Sequence, residues 1–425
     1  MPAKKAIAGA VLGAAATVFL TLLVLNLSIG DKQIDHRLTQ LYSVEDRQFT
    51  RTMGVILGPA LEPGNRVQAL VNGDEIFPSM LEAIRSANNT ITLETFIFWS
   101  GTIGNEFVDA LVERAGRGVR VHVLLDWIGG QLDGEQIERM QRHGVEVRRY
   151  NTPRWNNLHR LNNRTHRKLL VVDGRIGFTG GVGISDVWRG DADSPAHWRD
   201  THFRIEGPVV GQMQAAFVDN WMPATGEVLH GEAYLPELPA VGSHSAQMFT
   251  SSPGGGSESM QLLYLLSISS AAESIRLSAS YFIPDDVAVN TLLAALRRGV
   301  RVQIIVPGLH LDRPSVRRAS RAEWGELLRA GAEIHEFQPT MYHVKVMIVD
   351  GLWVSVGSTN FDARSFAIND EANLNVYDAA FARRQIEIFE RDLAQSRQVT
   401  LQEWESMPWT DKLLDFCASL LSSQL

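Results

Sequence analysis

HRKLLVVDGRIGFTGG (His166–Gly181) and HVKVMIVDGLWVSVGS (His343–Ser358) are the two stretches on which the reading of this chain turns. In each, a histidine and a lysine stand two apart, four apolar residues follow, and the run ends in Asp-Gly. Asp-Gly is a strong hairpin signal because both central turn positions favour residues that tolerate positive φ. The next strand returns to Gly180-Gly181 in one copy and to Gly357-Ser358 in the other. Side chains alternate along a strand, so His and Lys two apart share a face. An imidazole and an ammonium therefore line one small surface, beside a Gly-rich turn whose backbone N–H groups can approach an anion. A lone His-x-Lys is usually a pair of solvated strand residues. Two copies with the same spacing to Asp-Gly and to the following turn favour chemistry.

Outward from these copies the chain repeats itself. Gly118–Val121 (GVRV) matches Gly299–Val302 (GVRV), and Gly144–Val147 (GVEV) matches Gly331–Ile334 (GAEI), in the same order and at offsets of 177 to 187 residues across all the landmarks. Ordered recurrence of this kind indicates an internal duplication. Thr90–Trp99 and Arg120–Asp126 read as strands with a helical period over Gly104–Arg117 between them; Ile275–Phe282, Val287–Arg298 and Arg301–Pro307 repeat the pattern. Alternation of this sort builds a sheet covered by helices, an α/β fold. The expected organisation is an anchor over 1–30, a polar helical linker over 31–60, one domain over 61–240, a second over 241–400 and an amphipathic tail over 401–425. SSPGGGS (Ser251–Ser257) supplies a turn-rich, flexible stretch near the boundary between the halves.

The chain has 425 residues, a formal charge of −8 and one cysteine, Cys417. The acidic total argues against a protein that coats nucleic acid, and a single cysteine excludes an intrachain disulfide. Ala6–Leu27 is an almost unbroken apolar run, long enough for a helix to cross a bilayer core, and reads as an uncleaved anchor behind Lys4 and Lys5. Flanking positive charges are nearly balanced, so they do not set its orientation.

The duplicated pattern His-x-Lys-x4-Asp-x6-Gly-Gly/Ser resembles the signature of the phospholipase D superfamily, at every fixed position of both copies and over about Asn72 to Arg391. Within it the chain looks most like the bacterial cardiolipin synthases, through NNRTHRK (Asn162–Lys168), YFIPD (Tyr281–Asp285) and WRDTHFRIEGP (Trp198–Pro208). The resemblance implies two phospholipase D-like domains, each a mixed sheet flanked by helices, related by a pseudo-twofold so that both motifs meet in one cleft. It implies catalytic His166, Lys168, Asp173, His343, Lys345 and Asp350. One histidine would attack phosphorus to form a phosphohistidine, and the other would protonate the leaving alkoxide and then activate the acceptor. His166 is assigned the first role and His343 the second, although the symmetry of the repeat leaves the order open. Lys168 and Lys345 would hold the phosphate oxygens, a task metals perform elsewhere, so neither metal nor cofactor is expected. Asp200 and Glu371 stand where the superfamily keeps carboxylates that orient the histidines, and Gly181, Ser358 and Asn360 where it binds phosphate. Asp173 and Asp350, although motif members, read as structural turn residues.

The implied reaction moves a phosphatidyl group from a phospholipid, foremost phosphatidylglycerol, to the hydroxyl of a second phosphatidylglycerol. Hydrolysis of phospholipid or nucleic acid through the same intermediate is the alternative, and a catalytically silent scaffold is disfavoured by two complete motifs. Expected partners are anionic phospholipids and a membrane, with no nucleic acid; the expected place is the bacterial inner membrane, held by a single-pass anchor, with the periplasmic side favoured for the catalytic halves. Three features keep two readings each. Arg148, Arg149, Arg154, His159, Arg160, Arg164 and Arg167, with Arg313, Arg317, Arg318 and Arg321, form either solvated surface or a collar for anionic headgroups. Glu94 either faces the site or is a paired structural carboxylate. The tail from Trp404 to Leu425 either packs on the core or touches lipid.

Overall fold

A computed structural model of the chain describes residues 2–27, 34, 38–155, 158, 161–253 and 258–420. The first half contributes β1 (Glu62–Val71), β2 (Thr90–Thr95), β3 (Arg120–Asp126), β4 (Glu146–Tyr150), β5 (Lys168–Val172), β6 (Ile176–Gly180) and β7 (Thr201–Glu206). The second contributes β8 (His244–Ser251), β9 (Ser274–Ala279), β10 (Phe282–Ile283), β11 (Arg301–Pro307), β12 (Glu333–Phe337), β13 (Lys345–Val349), β14 (Trp353–Gly357), β15 (Phe361–Asp362), β16 (Glu371–Tyr377) and β17 (Ser396–Val399). All but β10 and β15, which pair with each other, join one continuous sheet in the order β17-β12-β11-β9-β13-β14-β16-β8-β1-β7-β6-β5-β2-β3-β4.

That order reads as a palindrome about the antiparallel junction of β1 with β8. Each half runs outward through the same succession, two parallel pairings at the rim and antiparallel ones toward the centre. The mixed α/β architecture and the duplication expected from the landmarks are both present. Among the described residues of this sheet, β17 is the strand without a counterpart; it covers the edge of β12 antiparallel and lies beyond any landmark in the repeat.

The motif strands β5 and β13 are buried along their whole length. Helices on both faces of a sheet leave no polar side for alternation, which accounts for the continuous apolar runs KLLVV and KVMIV. One core cluster lies within each half, and a third crosses the junction, where Leu169, Val171, Phe203 and Ile205 meet Val346, Ile348, Val356 and Leu374. Burial of this continuous apolar layer makes the two halves one body.

Several expectations change. Strand β2 stops at Thr95 rather than Trp99 because the chain leaves the sheet there: Ile184 donates its N–H to the Ile97 carbonyl, and Trp99 donates to the Ile184 carbonyl. The linker over 31–60, read as helical, is helical among the described residues only over Arg47–Thr52 and the π-helical turn Met53–Leu57. Before that, Leu38, Tyr42 and Val44 pack against the core of the second half, and Val44 exchanges hydrogen bonds with Ser270 and Tyr377. Tertiary contacts replace a helix there. Residues 254–257 of the turn-rich stretch, together with His159, Arg160, Leu421 and Leu425, lie outside the described residues. The expected anchor is a helix, Pro2–Leu27 (α1). Among the described residues no helix is long and apolar enough to cross a membrane.

Candidate active site

The two motifs converge at the junction of the halves. His166 and His343 each sit just before a motif strand, and a backbone bridge from the opposite half holds each in place. His166 donates its N–H to the carbonyl of Asp370 at 2.9 Å, and Asp370 donates to the carbonyl of Arg164. His343 donates to the carbonyl of Arg199 at 2.8 Å, and Arg199 donates to the carbonyl of Met341. In both cases the bridging residue immediately precedes a carboxylate, Glu371 or Asp200.

Those carboxylates complete the crossing. The Nδ1–H of His166 donates to Glu371 at 2.9 Å, and that of His343 donates to Asp200 at 2.7 Å. With Nδ1 committed, Nε2 carries the lone pair, and in His343 it lies 3.2 Å from Lys345 Nζ. Each carboxylate is itself fixed. Glu371 accepts from Ser358 Oγ at 2.5 Å, and Asp200 accepts from Trp188 Nε1 at 3.1 Å and from the Thr201 N–H at 2.8 Å. A Cβ on Gly181 would run into both oxygens of Asp200. The first half thus uses glycine where the second uses a serine hydroxyl. Aromatic rings wall both imidazoles, Phe96 at 5.3 Å from His166 and Trp188 and Trp198 at 5.3 and 5.4 Å from His343.

Lys168 and Lys345 are buried beside the histidines. Lys168 donates to the His166 carbonyl at 2.8 Å; Lys345 donates to the His343 carbonyl at 2.9 Å and to Ser280 Oγ at 2.6 Å. Ser280 donates to Asn360 Oδ1 at 2.9 Å, which ties Asn360 to the cationic centre. Burial, followed by repulsion from Lys345, lowers Lys168 to about 7. Burial lowers Lys345 to about 8, against the attraction of Asp200 and Glu371. Both imidazoles fall to about 4, again chiefly through burial. Asp200 and Glu371 are held below the ordinary carboxylate range: burial pushes them up, and the histidines and lysines outweigh it. Two cations with weakened hold on their protons make a cleft that gains from an incoming anion.

Asp173 and Asp350 sit at the far ends of β5 and β13 in left-handed backbone, φ 52° and 50°. Asp173 accepts from the N–H groups of Asn88, Asn89 and Thr90, and Asp350 from those of Ala272, Glu273 and Ser274. Each ties its hairpin to the start of the neighbouring strand, about 16 Å from the lysine at the other end of its own strand.

The family description "Cardiolipin synthase, PLD-like domain" matches residues 80–188 and 264–393, taking in both motifs and the crossing carboxylate Glu371. The chain is a member of that family. It is 33% identical over 365 residues to the cardiolipin synthase of Alkalihalophilus pseudofirmus, covering 85% of this chain and 72% of that one. It is 35% identical over 348 residues to cardiolipin synthase A of Pseudomonas syringae pv. syringae, covering 81% and 72%. The phosphatidylserine synthase of Haemophilus influenzae shares the fold, with a TM-score of 0.70 over 88% of this chain and all of that one at 15% identity.

Within this cardiolipin synthase family member, the basic stretches divide. Arg167 is buried, paired with Asp219 at 3.0 Å and facing Asp370 at 3.9 Å. Arg164 lies over Trp127. Arg317 pairs with Glu336, and Arg318 and Arg321 with Asp415. These arginines link elements of the fold, and burial takes Arg167 out of both the solvated surface and the headgroup collar. Glu94 is wholly buried, accepts from Thr165 and Asn220, and is raised to about 7 by burial. It supports the segment before His166 through Thr165 from within the core, and its second oxygen, Oε2, has no hydrogen-bond partner among the described residues. Sequence reasoning passed over Asp370, Arg199, Ser280 and Trp188. The only signal for the first two was their place directly before Glu371 and Asp200.

Proposed function

We propose that the protein transfers a phosphatidyl group between phospholipids, as a cardiolipin synthase. The observation that carries this is the crossed pair: two histidines, each oriented by a carboxylate of the other half, with two lysines between them. In the first step the Nε2 lone pair of His166 attacks phosphorus of phosphatidylglycerol, the bond to the glycerol oxygen breaks, and His343 gives its Nε2 proton to that oxygen. Glycerol leaves and a phosphatidyl-histidine remains. In the second step His343 takes the proton from a hydroxyl of another phosphatidylglycerol, whose oxygen attacks phosphorus as the P–N bond breaks. Cardiolipin leaves and His166 is neutral again.

Each group has a physical task. Glu371 and Asp200 hold Nδ1–H and stabilise the imidazolium forms. Lys168 and Lys345 meet the charge that grows on the equatorial oxygens, with little water to screen them. The negative phosphodiester also favours protonated His343, offsetting the burial that holds it neutral in the empty cleft. Ser280 and Asn360 extend the donor set, and Gly181 leaves Asp200 its room.

Purified protein incubated with phosphatidylglycerol in mixed micelles with EDTA, wild type beside His166→Ala and His343→Ala, tests this directly. Cardiolipin plus glycerol, lost in both variants, is expected. Phosphatidic acid alone would identify water as the acceptor and overturn transfer. Protein quenched in denaturing detergent at neutral to mildly alkaline pH, where the P–N bond survives, should carry labelled phosphatidyl on His166, and none in His166→Ala.

The exposed apolar side chains of α1, among them Val11, Leu12 and Phe19, support attachment of this segment to the inner membrane; the periplasmic side for both halves is our proposal. Degradation of the catalytic halves by protease added to intact spheroplasts is expected; full protection would place them in the cytoplasm.

A further inference from the structure

The helix Trp409–Ser419 is amphipathic in the inverse sense. At about 100° per residue, Trp409, Leu413, Phe416 and the following Leu420 fall on one stripe, with Asp411, Asp415 and Ala418 opposite. The apolar stripe points outward: Trp409 is 74% exposed, Leu413 50%, Phe416 57% and Leu420 67%. The polar side points in, where buried Asp415 accepts from Arg321 at 2.7 Å and Arg318 at 3.2 Å, with Asp411 3.7 Å from Arg318. A soluble surface helix does the reverse. Contiguous outward apolar side chains mark an interaction surface.

Its position relates the stripe to the cleft. Ala418, on the inner face, packs against the cluster of Ile283, Val316 and Ala319, and Tyr281 packs against the same cluster. Tyr281 directly follows Ser280, the partner of Lys345. Ser280, Tyr281, Val306, Leu311, Val316 and Trp324 also line a small cavity of about 20 Å³. The outward stripe, the helix beneath it, the cavity and one active-site cation thus form a continuous series.

We infer that the Trp409–Ser419 helix docks the catalytic body on a bilayer containing phosphatidylglycerol, with its apolar stripe set at headgroup depth beside the cavity and the Lys345 side of the cleft. This rests on the phosphatidyltransferase reading, in which both substrates reside in that bilayer. Continuity with the site that must receive acyl lipid, and the outward apolar helix α1 on the same chain, select a bilayer over a second copy as the occupant. Tryptophan at one end of the stripe suits headgroup depth.

Cys417, the chain's single cysteine, is exposed on this helix and takes an environment-sensitive fluorophore without any substitution. The full-length labelled protein is reconstituted in phosphatidylglycerol bilayers, with and without lipids carrying a doxyl quencher. A blue-shifted emission that the doxyl lipids quench is expected, together with loss of both in Leu413→Ser/Phe416→Ser/Leu420→Ser. Three exposed apolar side chains withdrawn from the bilayer should lower turnover of bilayer phosphatidylglycerol by at least roughly tenfold, and leave turnover of a monomeric short-chain phosphatidylglycerol unchanged. Aqueous emission in bilayers with normal cardiolipin formation overturns the docking and leaves the functional reading standing. Emission that follows protein concentration in detergent, and not lipid, overturns it in favour of a second copy. A quenched label with no phospholipid turnover supports the docking and removes the functional reading instead.

Discussion

Glu371 belongs to the second half of the chain and His166 to the first, yet they meet at 2.9 Å, and Asp200 returns the arrangement to His343 at 2.7 Å. Each half supplies one imidazole and lends its carboxylate to the other. A carboxylate that accepts from Nδ1–H selects the tautomer with Nε2 free and favours the charged ring during reaction.

Replacing either carboxylate by its amide should therefore remove turnover while keeping the fold. Glu371→Gln and Asp200→Asn are expected to lower kcat by about 10²- to 10⁴-fold, by analogy with the loss of a histidine-orienting carboxylate elsewhere. Steady-state cardiolipin formation, with circular dichroism to show the fold, checks this. Retention of more than a tenth of wild-type kcat in both variants would leave the crossing without a catalytic task.

The two halves fix their carboxylates differently, which predicts unequal sensitivity. Gly181→Ala puts a methyl group against both oxygens of Asp200 and should displace it from His343, costing kcat on the order of 10²-fold or more through misplacement. Ser358→Ala removes one hydrogen bond to Glu371, worth roughly 1.5–3 kcal/mol to a charged acceptor, and should cost about 10- to 100-fold. Equal losses in the two variants would contradict the steric argument.

Lys168 at about 7 and Lys345 at about 8 set an alkaline limit on the free enzyme. Above those values the ammonium groups lose their protons and the phosphate loses its counter-charge, so kcat/KM, which already declines above about 4 as His343 in the empty cleft loses its proton, should fall more steeply from about pH 7 upward. Below about 4 the imidazole of His166 is protonated and cannot attack, giving the acid limb. Lys168→Arg should lower kcat through poorer fit and shift the alkaline limb upward, because guanidinium stays charged. The same depressed values make a stability statement. Both lysines bind protons more weakly in the folded chain than in the unfolded one, so they destabilise the fold below about pH 7, and the penalty fades as pH rises toward the unfolded value. Inorganic phosphate, which restores their counter-charge, should raise Tm more at pH 6 than at pH 9, by an amount that grows with the logarithm of its concentration.

Asp173 and Asp350 should register in stability and spare chemistry. Each alanine variant leaves three backbone N–H groups without their acceptor and loses a side chain that tolerates positive φ, an expected cost of roughly 1–3 kcal/mol. Asparagine, at home in left-handed backbone, should cost less. Urea unfolding measures the difference, and kcat per folded molecule should stay within about twofold; the factor is our working bound for an effect confined to turns about 16 Å from the lysines.

Much of this fold was readable because duplication doubled each weak signal. A single KLLVV run is ambiguous between strand and buried helix, whereas two such runs, each framed by His-x-Lys and Asp-Gly, are not. The β3 and β11 boundaries match the expected strands because their apolar runs are bounded by turn residues on both sides. Local pattern failed where partners distant in sequence decide the backbone. Thr90–Trp99 looks uniformly strand-like, and its second part leaves the sheet to pair with Ile184, some 85 positions away. The carboxylates Asp200 and Glu371 were named from resemblance, but which histidine each serves depends on how the halves face one another. The arginines near the first motif looked like surface because charge is countable in a sequence and burial is not. Arg167 is fully enclosed, a place it holds only with Asp219 and Asp370 beside it.

The crossed bridges also act as an interlock. Separating the halves by even a few ångströms would break both histidine–carboxylate pairs together, since each spans the same junction. A misassembled or partly opened molecule would then have no armed nucleophile, rather than a lone one able to capture lipid and hold it. Both pairs exist only while the two halves are joined.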